Sequence, residues 1–388
     1  MKKSALFTTI LFFALTWAYP ANAEESEQET DLAEEAKSAV LMERDTGEVM
    51  VDKNAHEQLP PASMTKVMTL LLIMEELEYG GLDLEEMVRV SDKAASMGGS
   101  QIFLEAGEEM AVKDLLKGIA VASGNDASVA LAERIAGSEE AFVKKMNEKA
   151  AELGLENTHF QNTTGLPADD HYSTAYDMAI MAKELLKYES ITDYTSIYED
   201  YLRKGEDNEF WLVNTNKLVR FYPGVDGLKT GFTNEAKYCL TATAKKNDMR
   251  VIAVVMGADT PKERNSAVSG LLDYAFNHYE TTKLFDKGDS ITSLNLLKAE
   301  NDHINVITSQ SISTLHEKGQ APEDIKTKVK IDENITLPLK KGDQVGTLII
   351  ENENELLSET ELIVESDVDN AGYLTLWKRA WEKLTKHN

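Results

Sequence analysis

Residues 60–77 read PPASMTKVMTLLLIMEEL, and the fold turns on this stretch. Pro60 and Pro61 stop an extended chain, since proline has no N–H to give a strand ladder. From Met64 to Leu77 the apolar residues run nearly all round a helical projection. A helix that is apolar on every side belongs in a core, so the pattern predicts a buried central helix opening at Ser63 and stopped by Gly80-Gly81. Ser63 and Lys66 are three apart on it, which brings both side chains to one face within a turn of each other. A lysine amine in that position can reach a serine hydroxyl.

Outward from this helix, AVLMERDTGEVMVDK (residues 39–53) sets two short apolar runs around Asp45-Thr46-Gly47, the pattern of a β-hairpin. From Val112 to Ala136 two helical patterns are separated by Ser123-Gly124-Asn125-Asp126, whose capping residues and glycine predict a four-residue loop. Leu228–Ala244 and Arg250–Met256 read as neighbouring antiparallel strands, with a helix from Pro261 to about Tyr279. Lys229-Thr230-Gly231 falls at the start of the first strand. Past about Phe285, short Ile/Val/Leu-rich runs such as Thr327–Leu337 and Gln344–Ile350 indicate a small all-β domain. In the last segment Tyr373, Trp377, Ala380, Trp381 and Leu384 share a helical face, while Lys378, Arg379, Lys383 and Lys386 outweigh Glu382. Tryptophans opposite cations suit a helix lying in a membrane interface; a helix packed on the β domain is the alternative.

At 388 residues the chain exceeds one ordinary domain. The division read from it is a signal peptide at 1–23, an acidic leader at 24–36, a catalytic domain at 37–282, an all-β domain at 283–369 and an amphipathic helix at 370–388. The signal peptide rests on Lys2-Lys3, an apolar run from Ala5 to Ala18 too short for a comfortable span, and Ala21-Asn22-Ala23 before the cut. The body is therefore expected outside the cytoplasm. A formal charge of −27 disfavours nucleic acid as a partner, since phosphate binding needs clustered cations. The single cysteine, Cys239, allows no intrachain disulfide and reads as a packed thiol. No Cys/His cluster has zinc spacing, so neither a metal nor another cofactor is expected. His159 and His171, which flank the Asn162–Pro167 turn, read as surface or capping residues, and Asp169-Asp170 as a solvated turn.

Nucleophilic acyl transfer needs a hydroxyl, a base, a proton route and donors for an oxyanion, and the chain supplies candidates for each. Ser63 is the nucleophile and Lys66 its proton acceptor, which requires the amine to be neutral through burial or a nearby cation such as Lys229. The Ser123 hydroxyl can relay a proton to the leaving amine, and the Asn125 amide can orient both Lys66 and a substrate carbonyl. Lys229 and Thr230 offer a charge and a hydroxyl to a terminal carboxylate, and Gly231 lets an extended peptide approach the strand. The backbone N–H groups of Ser63 and Phe232 are the candidate oxyanion donors.

S-x-x-K, S-x-N and K-T-G in that order form the set carried by class A β-lactamases and penicillin-binding proteins. The strings PPASMTK, ASGNDAS, FQNTTGLP, HYSTAYDMA and GVDGLKTGFTNEAKYCL narrow the likeness. From about residue 35 onward the chain resembles a low-molecular-mass penicillin-binding protein, a serine-type D-alanyl-D-alanine carboxypeptidase, in particular its sporulation-associated branch in Gram-positive spore formers. The resemblance implies an α/β catalytic domain, an antiparallel sheet with helices on both faces, followed by the small β domain and terminal helix. It further implies an acyl-enzyme at Ser63, cleavage of wall stem peptides ending in D-Ala-D-Ala, and covalent inhibition by β-lactams. Two positions depart from better-known relatives: Phe232 stands where many have His, and Lys237 where many have Gly. A class A β-lactamase is the alternative enzyme, disfavoured by the lack of an E-x-x-L-N loop, and a non-catalytic wall-binding scaffold is the alternative outside catalysis.

Overall fold

The computed structural model of the chain describes residues 32–301, 303–320, 324–352 and 356–385. The signal peptide, the leader up to Asp31, and Lys386 at the far end lie outside the described residues.

Five antiparallel strands form the catalytic sheet, in the order Val49–Lys53, Ser38–Glu43, Met249–Ala258, Lys237–Lys246, Val225–Thr233. Alternation along Arg250–Met256 fills two cores. Ile252, Val254 and Met256 meet Val67, Met68, Leu71 and Met178 on one face, while Val251, Ala253 and Val255 meet Ala267, Val268, Leu271 and Leu272 of the Pro261–His278 helix on the other. Covered on both faces, the central strands lose the polar alternation of a one-sided sheet and read as continuous apolar runs. The helix Lys66–Glu78 lies in the first core, buried from Lys66 through Met74, as its all-round apolar sequence predicts. A 3-10 turn over Ala62–Thr65 leads into it, so Ser63 sits one turn ahead of the α-helix proper.

Two expectations need correction. The loop between the helices Val112–Ala122 and Asn125–Ala136 holds only Ser123 and Gly124, because Ser123 takes the left-handed conformation at φ +65° and closes the first helix by itself. Asn125 and Asp126 therefore belong to the second helix. The run Leu228–Ala244 is two strands, folded back at Asn234–Ala236, so K-T-G lies in mid-strand. Thr233 Oγ1 accepts the Ala236 N–H at 3.0 Å in this turn, and Lys237 takes φ +58°. No glycine marks the reversal, which explains why the pattern hid it.

The second sheet runs Ser290–Leu294, Ile304–Thr308, Leu356–Val364, Gln344–Glu351, Lys326–Ile331 around Val306, Leu348, Ile350 and Leu362. The strand Ile312–Glu317 pairs separately with Tyr279–Phe285, and from it Ser313 Oγ donates to Asp45 Oδ2 at 2.8 Å in the turn of the catalytic hairpin. The helix Tyr373–Thr385 is held by Arg379, whose guanidinium donates to the carbonyls of Leu297, Ala299 and Glu300. Tyr373, Leu374, Trp377 and Trp381 stay exposed, with the two indoles stacked at 5.9 Å. Among the described residues no helix is long and apolar enough to cross a membrane.

At φ +58° the Lys237 side chain costs about 1 kcal/mol, a strain that glycine would not carry, although glycine gives back part of it through its larger unfolded-state entropy. Lys237→Gly is expected to raise stability by about 0.5 kcal/mol, read as a higher urea midpoint at unchanged m value. A lower midpoint would show that the lysine side chain itself contributes more than the strain removes.

Candidate active site

Ala62 takes φ +48° directly after the two prolines, and this kink places Ser63 at the mouth of the buried helix. Gly165 packs beneath it so closely that a Cβ there would stand 1.8 Å from the Ala62 carbonyl oxygen. Lys66 Nζ lies 3.3 Å from Ser63 Oγ, 2.7 Å from Asn125 Oδ1 and 2.7 Å from the Thr164 carbonyl oxygen. Asn125 Nδ2 donates to the Gly98 carbonyl at 2.6 Å, which fixes the amide with its oxygen toward the lysine. Asp126 accepts the backbone N–H groups of Ile102 and Leu104, both at 3.1 Å, and so ties the Gly98–Leu104 segment to the same helix start.

Lys66 is fully buried, and that burial holds its pKa well below the ordinary lysine value; the charge of Lys229 adds to the depression and Asp126 opposes it. Both means of neutralising the amine that the sequence offered are thus present. A neutral amine has two N–H bonds and one lone pair. Asn125 Oδ1 and Thr164 O can only accept, so they take the two hydrogens and leave the lone pair facing the Ser63 hydroxyl.

Ser123 Oγ is buried and has no hydrogen-bond partner among the described residues. Lys229 is buried too, its Nζ donating to the Thr230 carbonyl at 3.0 Å, and burial followed by the charge of Arg264 pulls its pKa down to about 7. Thr230 Oγ1 donates to Thr215 Oγ1 at 2.8 Å. This strand is an outer one of the sheet, and Gly231 passes so near the Ser63 turn that a Cβ would meet the Pro61 carbonyl oxygen at 2.7 Å. Phe232 is half exposed, its ring 4.4 Å from that of Tyr238. Beside Ala62 a cavity of about 680 Å³ runs between Leu166, His171, Thr233 and Glu235.

Ser63 and Asn125 both contact Lys66, with Ser123 two residues before the helix that Asn125 opens; Lys229 enters through its charge on Lys66, and Gly231 through its approach to the turn. The sequence did not reveal Thr164 and Gly98, whose contribution is a carbonyl that any residue carries, nor Thr215 and Arg264, which belong to no motif. His171 does not lie on the surface: it is buried, with Nε2 at 2.8 Å from Thr65 Oγ1, behind Ser63. His159 stays nearer the expectation, its Nδ1 2.7 Å from the Asp170 carbonyl. Cys239 is the packed thiol expected, its pKa pushed up to about 11 by burial.

A buried amine beside a serine hydroxyl, on a sheet flanked by helices and followed by a β domain, defines an active-site-serine protein of the penicillin-binding type. Comparison with known proteins narrows the class. Residues 23–260 match the peptidase S11 family, D-alanyl-D-alanine carboxypeptidase, and residues 279–370 match the C-terminal domain of penicillin-binding protein 5. The chain belongs to the S11 D-alanyl-D-alanine carboxypeptidase family. It is 56% identical to the D-alanyl-D-alanine carboxypeptidase DacF of Bacillus subtilis over 98% of this chain and 99% of that one. The structure of penicillin-binding protein 5 from Haemophilus influenzae is similar at TM-score 0.66 and 31% identity, covering 86% of this chain and 97% of that one. Penicillin-binding protein D2 of Listeria monocytogenes, solved in its ampicillin-bound form, is similar at TM-score 0.56 and 30% identity over 62% of this chain and 98% of that one.

The depressed Lys66 pKa makes stability depend on pH. Between its folded value and about 10.4, the unfolded chain carries a proton there that the native chain does not, so native stability rises with pH across that window. Lys66→Met removes the group from both states. The stability of this variant relative to wild type is expected to decline as pH rises through that window in denaturant titrations. A difference independent of pH would mean that the amine is charged in the native state.

Proposed function

We propose that the chain hydrolyses the terminal D-Ala-D-Ala bond of wall stem peptides through an acyl-enzyme on Ser63. The supporting observation is the buried Lys66 amine, 2.7 Å from two acceptors and 3.3 Å from Ser63 Oγ, an arrangement in which a neutral amine turns its lone pair to the Ser63 hydroxyl. In the mechanism inferred, Ser63 Oγ attacks the carbonyl of the penultimate D-alanine as its proton passes to Lys66. The backbone N–H groups of Ser63 and Phe232 take the oxyanion. Ser123, whose buried hydroxyl has no partner among the described residues, hands its proton to the departing amine of the last D-alanine and takes back the one that Lys66 received from Ser63. Lys229 and Thr230 receive the terminal carboxylate, whose arrival favours the charged lysine that burial otherwise disfavours. Water then cleaves the ester and restores Ser63. A β-lactam enters by the same attack but keeps its leaving group attached to the acyl chain.

Membership of the carboxypeptidase family disfavours the β-lactamase and scaffold alternatives. We place the protein, on the strings quoted above, in the sporulation-associated branch, exported and held at the outer face of the cell membrane. The exposed Tyr373, Leu374, Trp377 and Trp381 of the terminal helix support the membrane reading. Arg379 turns to the β domain while those four side chains stay exposed.

Intact-mass analysis after incubation with benzylpenicillin, and separately with a peptide ending in D-Ala-D-Ala, tests the reaction. Wild type is expected to carry a penicilloyl group on Ser63 and to release D-alanine, and Ser63→Ala to do neither. Absence of both from folded wild type would promote the scaffold, and rapid penicillin turnover without peptide cleavage the β-lactamase.

Deleting 370–388 should release the mature protein from membranes while leaving cleavage of a soluble peptide within about twofold of wild type. Membrane association that survives the deletion would refute the anchor.

A further inference from the structure

Thr65 stands between Ser63 and Lys66, where the 3-10 turn meets the helix, a place at which threonine ordinarily turns its hydroxyl onto the first backbone N–H groups of the helix. Its backbone is already helical, at φ −44° and ψ −34°, and neither the turn nor the helix has a side-chain cap. The hydroxyl instead lies 2.8 Å from His171 Nε2. The other ring nitrogen, Nδ1, accepts the Gln161 backbone N–H at 3.0 Å. A backbone N–H can only donate, so Nδ1 carries no proton, Nε2 does, and His171 donates to Thr65. The ring is buried edge-on to Phe160, with centroids 5.8 Å apart. Burial, with the nearby charge of His159, lowers its pKa to about 4, in keeping with a tautomer that could not accept a second proton without facing it at the Gln161 N–H.

Gln161 opens the segment that closes the site from below. Thr163 O accepts the Thr69 hydroxyl at 2.8 Å, Thr164 O accepts Lys66, and Gly165 lies against Ala62. One imidazole therefore fastens the turn that carries the serine to the segment that supplies an acceptor for the lysine.

We propose that His171 is a positioning residue for the Ser63 and Lys66 pair, acting through Thr65 and Gln161 without touching substrate. This rests on the reading of Ser63 as nucleophile. The contact between Ser63 Oγ and Lys66 Nζ is 3.3 Å, and a shift of the turn by part of an ångström would turn the hydroxyl away from the lone pair. Displacements of about 1 Å can cost about 100-fold in rate, so the imidazole earns its place through the acylation step rather than through binding.

The test measures acylation of the purified protein by benzylpenicillin, resolving pre-covalent binding from the acylation rate constant. The variants are Thr65→Val, His171→Phe, His171→Gln and the double variant Thr65→Val with His171→Phe. Thr65→Val and His171→Phe are each expected to slow acylation about 10- to 100-fold, with pre-covalent binding changed less than about twofold. His171→Gln, which keeps a donor and an acceptor, should recover part of the rate. The double variant should be no slower than the slower single variant, since both break one linkage. Penalties that multiply in the double variant would overturn the inference. So would an unchanged acylation step in Thr65→Val, a nearly isosteric change that keeps the test valid even where His171→Phe does not fold. A wild type that takes no acyl group would overturn the nucleophile reading and this inference with it; normal wild-type acylation with unaffected variants would remove only the role of His171.

Discussion

The burial of one amine governs the rest of the catalytic domain. Lys66 lies in the core with its charge disfavoured, and each group around it compensates for that placement: the Asn125 amide, the Thr164 carbonyl and the Ser63 hydroxyl satisfy its nitrogen. A buried polar group without partners costs about 1–3 kcal/mol, so the surrounding segments must hold their positions for the domain to be stable at all. The same arrangement makes the amine basic toward a hydroxyl rather than toward water. Stability and reactivity therefore impose one demand on the packing around this helix, namely that both carbonyl acceptors stay where they are.

The sheet supplies the second half of the constraint. Its outer strand, Val225–Thr233, brings Lys229 close enough to depress the Lys66 pKa further and passes Gly231 against the Pro61 carbonyl. Burial disfavours the charge of each lysine there. Arg264, about one helical turn into the Pro261–His278 helix on the far face, pushes Lys229 in the same direction, so cations from both sides of the sheet act on one cleft.

Much of this was legible because its signals are local. The apolar run after Ser63 specifies a buried helix by period alone, and S-x-x-K, S-x-N and K-T-G are spacings within a turn or a strand. What escaped depends on contacts between distant segments or on backbone atoms. Thr164 and Gly98 act through carbonyls, and no side-chain pattern announces a carbonyl. The turn at Asn234–Ala236 has no glycine, and Lys237 accepts the strained conformation that would have advertised one. His171 looked like a surface residue because its neighbours, Asp169, Asp170 and Tyr172, are polar or aromatic turn residues; only the fold carries its ring to Thr65.

The hydrogen bonds of Lys66 span 59 residues to Asn125 and 98 to Thr164. Loops of that length close late and at an entropic cost that local structure does not recover. A fragment that lacks Asn125 or Thr164, or a partly ordered form that keeps the helix but loses the packing, lacks the acceptors that hold the amine beside the serine. Covalent capture of a β-lactam is then a chemical label for the native molecule. The fraction of chains that react in a refolding or export mixture counts those whose distant segments have met.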